Sequence, residues 1–187
     1  MPKVLLGVRE NLLKRAEELI ELGEYDNFSI RSIAKDCGIA VGTLYNYFKS
    51  KDELLVAVIN EHWCKMIGEV DERCDNSKTL TDCICHICTG IRSFAEGHTR
   101  FWISSIMGGF SYSTGTEWKR SLRRTVQERF EHHAQRLAYK YDLTLSPAVA
   151  EVIISLGAQI ELDFDVAIRL LRQATSKIES IGADKLI

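Results

Sequence analysis

Only two prolines, Pro2 and Pro147, occur in the 187 residues. Because proline breaks helices from within, the long proline-free stretch between them is open to continuous helix. Alternating apolar and polar residues are equally scarce, which argues against sheets. No apolar run approaches the roughly 20 residues that span a bilayer, and the start, MPKVLLGVRE, meets charge too early for a signal peptide. A cytoplasmic protein is the expectation. A net charge of −2 leaves no excess of positive charge for coating nucleic acid indiscriminately. The chain lacks a G-x-S-x-G elbow, a glycine-rich phosphate loop and a paired His-Glu zinc signature, so neither an enzyme nor a cofactor is expected.

What is present is the composition of an ordinary globular chain, 45% hydrophobic and 27% charged, long enough to bury a sizeable core. Six cysteines stand at 37, 64, 74, 83, 85 and 88. Without a secretory signal, and with a core supplied by size, they are expected to be reduced.

Apolar residues recur three or four apart through most of the chain, so the predicted fold class is all-α. The first helix puts Leu5, Val8, Leu12, Ala16, Leu19 and Ile20 on one face and is expected to end near Gly23. Ser29 sits where an N-cap belongs, ahead of Ile30, Ile33 and Ala34. Cys37-Gly38 breaks that short helix. Leu44 and Phe48, four apart, then point to one side, and Ser50 and Glu53 form a Ser-x-x-Glu capping box that opens a long helix through Leu54, Leu55, Val58 and Trp63. Two short helices joined by a tight turn need a small residue at their crossing, a glycine in the turn and an aliphatic anchor in the second helix. Ala34, Gly38 and Leu44 supply these in order.

Together the segments SIRSIA from Ser29, GI from Gly38, GTLYNYF from Gly42 and KDEL from Lys51 resemble the DNA-binding region of the TetR family of bacterial transcriptional regulators. The resemblance covers roughly residues 5–60. It implies an N-terminal helix-turn-helix DNA-binding domain, placed at 1–50, and a larger helical ligand-binding and dimerisation domain at 51–187. It also implies a homodimer that holds a palindromic double-stranded DNA operator and releases it when a small-molecule effector binds, without contact with a membrane.

With Leu44 and Phe48 turned inward, Thr43, Tyr45, Asn46 and Tyr47 cannot all be buried, because a helix this short has one core face. Tyrosine offers a ring for a thymine methyl and a hydroxyl for phosphate, and asparagine can pair with adenine. Gly42 lets the backbone come close to DNA. Ser29 and Lys51 begin helices, where amide groups favour phosphate, and Arg31 can reach phosphate or a base edge. By the resemblance, Tyr45, Tyr47 and Lys51 are phosphate contacts and Gly42, Thr43 and Asn46 base readers. Residues 27–51 carry Arg31, Lys35, Lys49 and Lys51 against Asp36 alone, a local basic footprint on a neutral body. Two residues depart from the family pattern. Ala40 stands where the recognition helix often opens with serine or threonine, a cap worth about 1 kcal/mol, and Val41 stands where a polar or basic residue is common.

From Leu54 onward the sequence reads as helices with no catalytic punctuation. Trp63, Phe94, His98, Phe101, Trp102 and Trp118 gather aromatic surface of the kind that lines an apolar ligand pocket, and equally of the kind that simply packs. Lys119, Arg120, Arg123 and Arg124 form a basic stripe, read either as a solvated face or as a seat for an anionic ligand such as an acyl-coenzyme A. The run Cys83, Cys85, His86, Cys88 suggests an alternative, a metal- or thiol-responsive regulator. On a helix, however, Cys85/Cys88 and Cys83/His86 form two pairs on broadly opposite sides, so no metal site is assigned. Val149, Val152, Ile153, Leu156 and Ile160, with Gly157, make one late apolar stripe, and Phe164, Ala167, Ile168, Leu171 and Ile178 another; both suit a dimer interface or plain packing.

Overall fold

The caps close where the local sequence closes them. In the computed structural model, residues 7–21, 28–98, 112–139, 143–159, 163–169 and 171–173 are described. Seven helices are bounded within them: α1 (Val8–Glu21), α2 (Ile30–Asp36), α3 (Val41–Tyr47), α4 (Lys51–Asp75), α5 (Leu80–Gly97), α6 (Tyr112–Arg136) and α7 (Ser146–Ala158). A short 3-10 turn, Leu143–Leu145, leads into α7, and residues 164–169 and 171–173 are helical too. No strand occurs among the described residues, as an all-α fold requires. Likewise no helix among them is long and apolar enough to cross a membrane. Leu5, Gly23, Ile160 and Ile178 lie outside the described residues.

Two compact units divide inside α4, one running through His62 and one from Trp63 on, with residues 112–114 grouped with the first. In the first unit the Ser29 hydroxyl accepts the Ser32 amide at 3.1 Å and caps α2. At the other end of α2, Gly38 takes the left-handed conformation (φ +65°), Gly38 N–H reaches Lys35 O, and Ile39 N–H reaches Ala34 O. This double bond pattern is the Schellman ending, which favours glycine at that position. Ala40 caps α3 with no side-chain bond. Ser50 accepts the Glu53 amide at 3.0 Å, while the Glu53 carboxylate reaches the amide of Lys49, one residue before the cap. Leu12, Ala16, Phe28, Ile33, Ala34, Leu44, Leu54, Val58 and Ile59 close the core. Polar contacts tie the rim: an ion pair of Arg15 with Asp36 at 2.9 Å, and His62 Nε2 against Glu17 Oε1 at 2.6 Å.

In the second unit α5 is the buried centre. Its cap Thr79 accepts the Asp82 amide at 3.1 Å and donates its hydroxyl to the same carboxylate at 2.7 Å. That bond first, and Arg172 second, hold the Asp82 carboxyl below its ordinary range. Two glycines let neighbouring helices close on α5. A Cβ at Gly90 would stand 2.5 Å from Val70 Cγ2 on α4, and one at Gly157 on α7 would stand 2.7 Å from Ile91 and 3.0 Å from Cys88 O. Gly157 therefore serves packing within the chain, one of the two uses open to its stripe. Ile153 on the same face is buried, and its carbonyl accepts Cys88 Sγ–H at 3.7 Å. Val152, on another face, is 55% exposed.

Gly157→Ala is expected to lower stability by about 1–3 kcal/mol, since branched Ile91 and a backbone carbonyl cannot swing aside; thermal melting reads this directly. In the first unit Leu44→Ala is expected to cost about 2–5 kcal/mol, whereas Tyr45→Ala stays within about 0.5 kcal/mol. Equal losses in denaturant titrations of the two variants would contradict the inward and outward assignment.

Candidate functional site

Seven residues make a helix that is too short to stand in water alone, so α3 exists by docking. Leu44 is fully buried and Phe48, just past the C-terminus of α3, is 3% exposed. The 100° step between neighbours then forces the rest of the helix outward. Tyr45 is 45% and Tyr47 41% exposed, the outstanding apolar surface of the first unit; Asn46 and Gly42 are exposed, and Thr43 is half-buried. A Cβ at Gly42 would meet nothing within 4 Å, so its glycine leaves open space on the outer face rather than room for a neighbouring helix.

The flanking candidates are also on the surface. Ser29 and Arg31 are exposed at the start of α2. Lys51, exposed at the start of α4, holds its ammonium 5.6 Å from the Phe28 ring centroid. Arg9 stands 5.6 Å over the Phe48 ring, adding a cation the sequence reading did not include. Asp36, the one acid of the basic segment, is neutralised by Arg15. This leaves Arg31, Lys35, Lys49 and Lys51, all exposed, as a net positive rim around an outer face of hydroxyls, amide and rings. Such a surface can hold phosphate through its rim and read base edges through Thr43 and Asn46.

The aromatic cluster of the second unit is partly assembled. Trp63 and Phe94 meet edge to face at 5.1 Å, and His98 stacks on Phe94 at 4.6 Å while donating Nδ1–H to the Phe94 carbonyl at 2.9 Å. Trp63, Phe94 and Trp118 are buried, and the buried Trp63 Nε1–H finds no acceptor among the described residues. An unsatisfied indole donor among rings is a polar handle in an apolar setting. Phe101 and Trp102 lie outside the described residues. Sequence reading missed Arg92, which is buried with its guanidinium 4.7 Å over the Phe164 ring and one nitrogen, Nη2, 3.5 Å from Leu156 O. No local pattern marks it.

The cysteine run does not form a centre. Among the described residues Cys83, Cys85, His86 and Cys88 do not gather into a group that could hold one ion. Cys88 is pushed up to about 12 by burial, and Cys85 is raised for the same reason. The pair the fold does join is Cys74 and Cys83, whose thiols each approach the other's carbonyl, at 3.6 and 3.7 Å. A hydrogen bond from Cys74, helped by Arg136 Nη2 at 3.8 Å, draws Cys83 down to about 7 and drives Cys74 up. The basic stripe is a solvated face: Lys119, Arg120, Arg123 and Arg124 are exposed, and Arg123 pairs with Glu151 on α7.

Residues 12–58 match the family described as bacterial regulatory proteins, tetR family. The fatty acid metabolism regulator protein of Bacillus subtilis (strain 168) is 33% identical over 61 residues, 33% of this chain and 31% of that protein. The HTH-type transcriptional repressor KstR of Mycobacterium tuberculosis is 32% identical over 63 residues, 34% of this chain and 29% of that protein. The chain thus spans about a third of the length of these curated relatives. The crystal structure of the regulator FadR from Bacillus subtilis in complex with stearoyl-CoA superposes with a TM-score of 0.58, covering 88% of this chain and 95% of that one at 18% identity, a likeness of fold. The cap, turn, anchor and outward aromatics of α2 and α3 fall within residues 12–58, so this stretch of the chain is similar to the N-terminal region of the tetR family of bacterial regulatory proteins.

Proposed function

We propose that this protein is a DNA-binding transcriptional regulator, a homodimeric repressor that holds a palindromic operator and leaves it when a small molecule binds. The carrying observation is the outer face of α3: with Leu44 buried, Tyr45, Asn46 and Tyr47 project together inside a basic rim. In this reading the unit through His62 reads DNA and the unit from Trp63 senses and dimerises. Tyr45, Tyr47, Lys51, Ser29 and Arg31 take phosphates, and Gly42, Thr43 and Asn46 meet base edges.

Two half-sites require two reading heads, and α7 offers a face for pairing them. Leu145, Val149, Val152 and Leu156 recur at helical spacing, with Leu145 and Val152 more than half exposed and the other two half-buried. The effector is an apolar molecule taken up near Trp63, Phe94, His98 and Trp118. Long-chain acyl-coenzyme A is the first compound to test, because a protein of like fold binds stearoyl-CoA. Release is a population shift: an effector that binds better to the spacing of heads that misfits the operator empties it.

Fluorescence anisotropy with DNA from upstream of the protein's own gene tests the reader. Tyr45→Ala and Lys51→Ala are each expected to weaken binding, and Lys51→Ala to lower the slope of log affinity against log salt by about 1. Unchanged affinity in both variants removes the assignment. For the dimer, Val152→Glu is expected to yield a folded monomer in light scattering; a persistent dimer of full helicity would move the interface elsewhere.

A further inference from the structure

The lower end of α4 and the last turns of α6 meet through groups that the DNA-reading function does not use. Asp71 and Asp75 stand one helical turn apart on α4, as do Arg129 and His133 on α6, so each pair shares one face of its helix. His133 is 1% exposed, yet neither ring nitrogen makes a hydrogen bond among the described residues. Its Nε2 faces Asp71 Oδ1 at 3.6 Å and its Nδ1 faces Asp75 Oδ1 at 4.0 Å. An imidazole buried between two carboxylates, at distances beyond hydrogen bonding to either, is left unsatisfied, and a buried unsatisfied polar group is costly. His132 brings a second imidazole edge-on, with ring centroids 4.9 Å apart.

We infer that Asp75, His132 and His133 form a binding site for a divalent transition-metal ion of the zinc class. One ligand atom from each lies within 4.8 Å of the others. Zinc holds nitrogen and oxygen ligands at about 2.0–2.2 Å, so its ligands stand about 3–4 Å apart, and rotation of the exposed Asp75 and His132 side chains closes the difference. His133 Nδ1 faces Asp75 and is the ligand atom; Nε2–H then points at Asp71 Oδ1, 3.6 Å away, and a small shift of the ring on binding an ion brings the two within hydrogen-bond reach. This is the usual support for a metal-bound histidine, a carboxylate behind the ring that fixes its tautomer. Asp71 is itself held by Arg129 Nε at 2.8 Å.

Two imidazoles and one carboxylate select zinc and its neighbours over calcium or magnesium, which prefer oxygen throughout. Asp75 remains available as a ligand. Arg136 approaches it only at 3.9 Å and instead donates Nη2–H to Cys74 O at 2.7 Å and Ser77 O at 3.3 Å. Three protein ligands, two of them on exposed side chains, leave the fourth position of a tetrahedral ion to water and suit an ion that is taken up and released, in contrast to the closed four-ligand structural centres. The nearby cysteines are a competing destination for the same metals, and the choice of probe must separate the two.

Cobalt(II) titrated into tag-free, metal-stripped full-length protein makes that separation, because thiolate ligation gives an intense near-ultraviolet charge-transfer band and a His/Asp site gives only visible ligand-field bands. One equivalent bound without the thiolate band is expected, with a matching zinc isotherm by calorimetry. His132→Ala and Asp75→Ala, both at exposed positions, are expected to keep full helicity and lose at least about 10-fold in affinity. Asp71→Asn is expected to weaken binding about 10- to 100-fold without changing the stoichiometry, the mark of a positioning residue. Absence of binding, or a thiolate band that persists in His132→Ala, overturns the site and in the second case assigns the metal to the cysteines.

Discussion

The burial of Leu44 is the constraint from which the outer face of α3 follows. A two-turn helix has no stability of its own, and α3 begins at Ala40, whose side chain offers no cap. What holds it is the burial of Leu44, followed by Phe48, in a core that also takes in Ile33, Ala34 and Leu54. Once that face is fixed, helical geometry leaves no choice about where Tyr45, Asn46 and Tyr47 point. The outward display of these side chains is thus a by-product of a packing decision. The missing cap also explains why the anchor must be strong.

The same logic, with different residues, organises the second unit. There the close approach of helices depends on removing side chains: Gly90 admits Val70 and Met66, and Gly157 admits Ile91. A helix as apolar as α5 needs neighbours on nearly every side, and glycine at two crossings lets it have them. This density leaves little slack, so the polar atoms caught inside stand out. Trp63 Nε1, Arg92 Nε and both nitrogens of His133 are buried without hydrogen bonds among the described residues.

Local features were legible in the sequence because they are encoded within a few residues. Ser29, Gly38 and Ser50 act on backbone amides at most a few positions away, so their roles are written beside them. Leu44 and Phe48 could be read because a four-residue spacing fixes a shared face, and that face also dictated the exposed candidates. Features that depend on which helices become neighbours were not legible. The run Cys83, Cys85, His86, Cys88 is conspicuous as text, but the fold pairs Cys83 with Cys74 on the preceding helix. Gly157 announces a close contact without naming its partner, and that partner is α5. Arg92 and His133 carry no local signal, since Leu156 and Phe164 around the first and Asp71 and Asp75 around the second lie 58 or more positions away.

Unsatisfied interior groups bear on how such a protein can respond to a ligand at all. A core optimised for stability alone would replace the Trp63 indole and the His133 imidazole with apolar groups of similar shape, at little cost or with a gain. Retaining them leaves each unit of binding chemistry prepaid in the free protein, so a molecule that completes their bonds recovers free energy that bulk water cannot supply. Only that recovered difference can shift an equilibrium between two arrangements of the chain, because a ligand that favours both equally moves neither. The basic stripe on α6 lacks this property: its exposed cations are already solvated or paired, as Arg123 is with Glu151, and a ligand there would exchange one partner for another. In the proposed function the responsive chemistry of the second unit therefore resides in its buried atoms that lack partners among the described residues, rather than in its most highly charged surface.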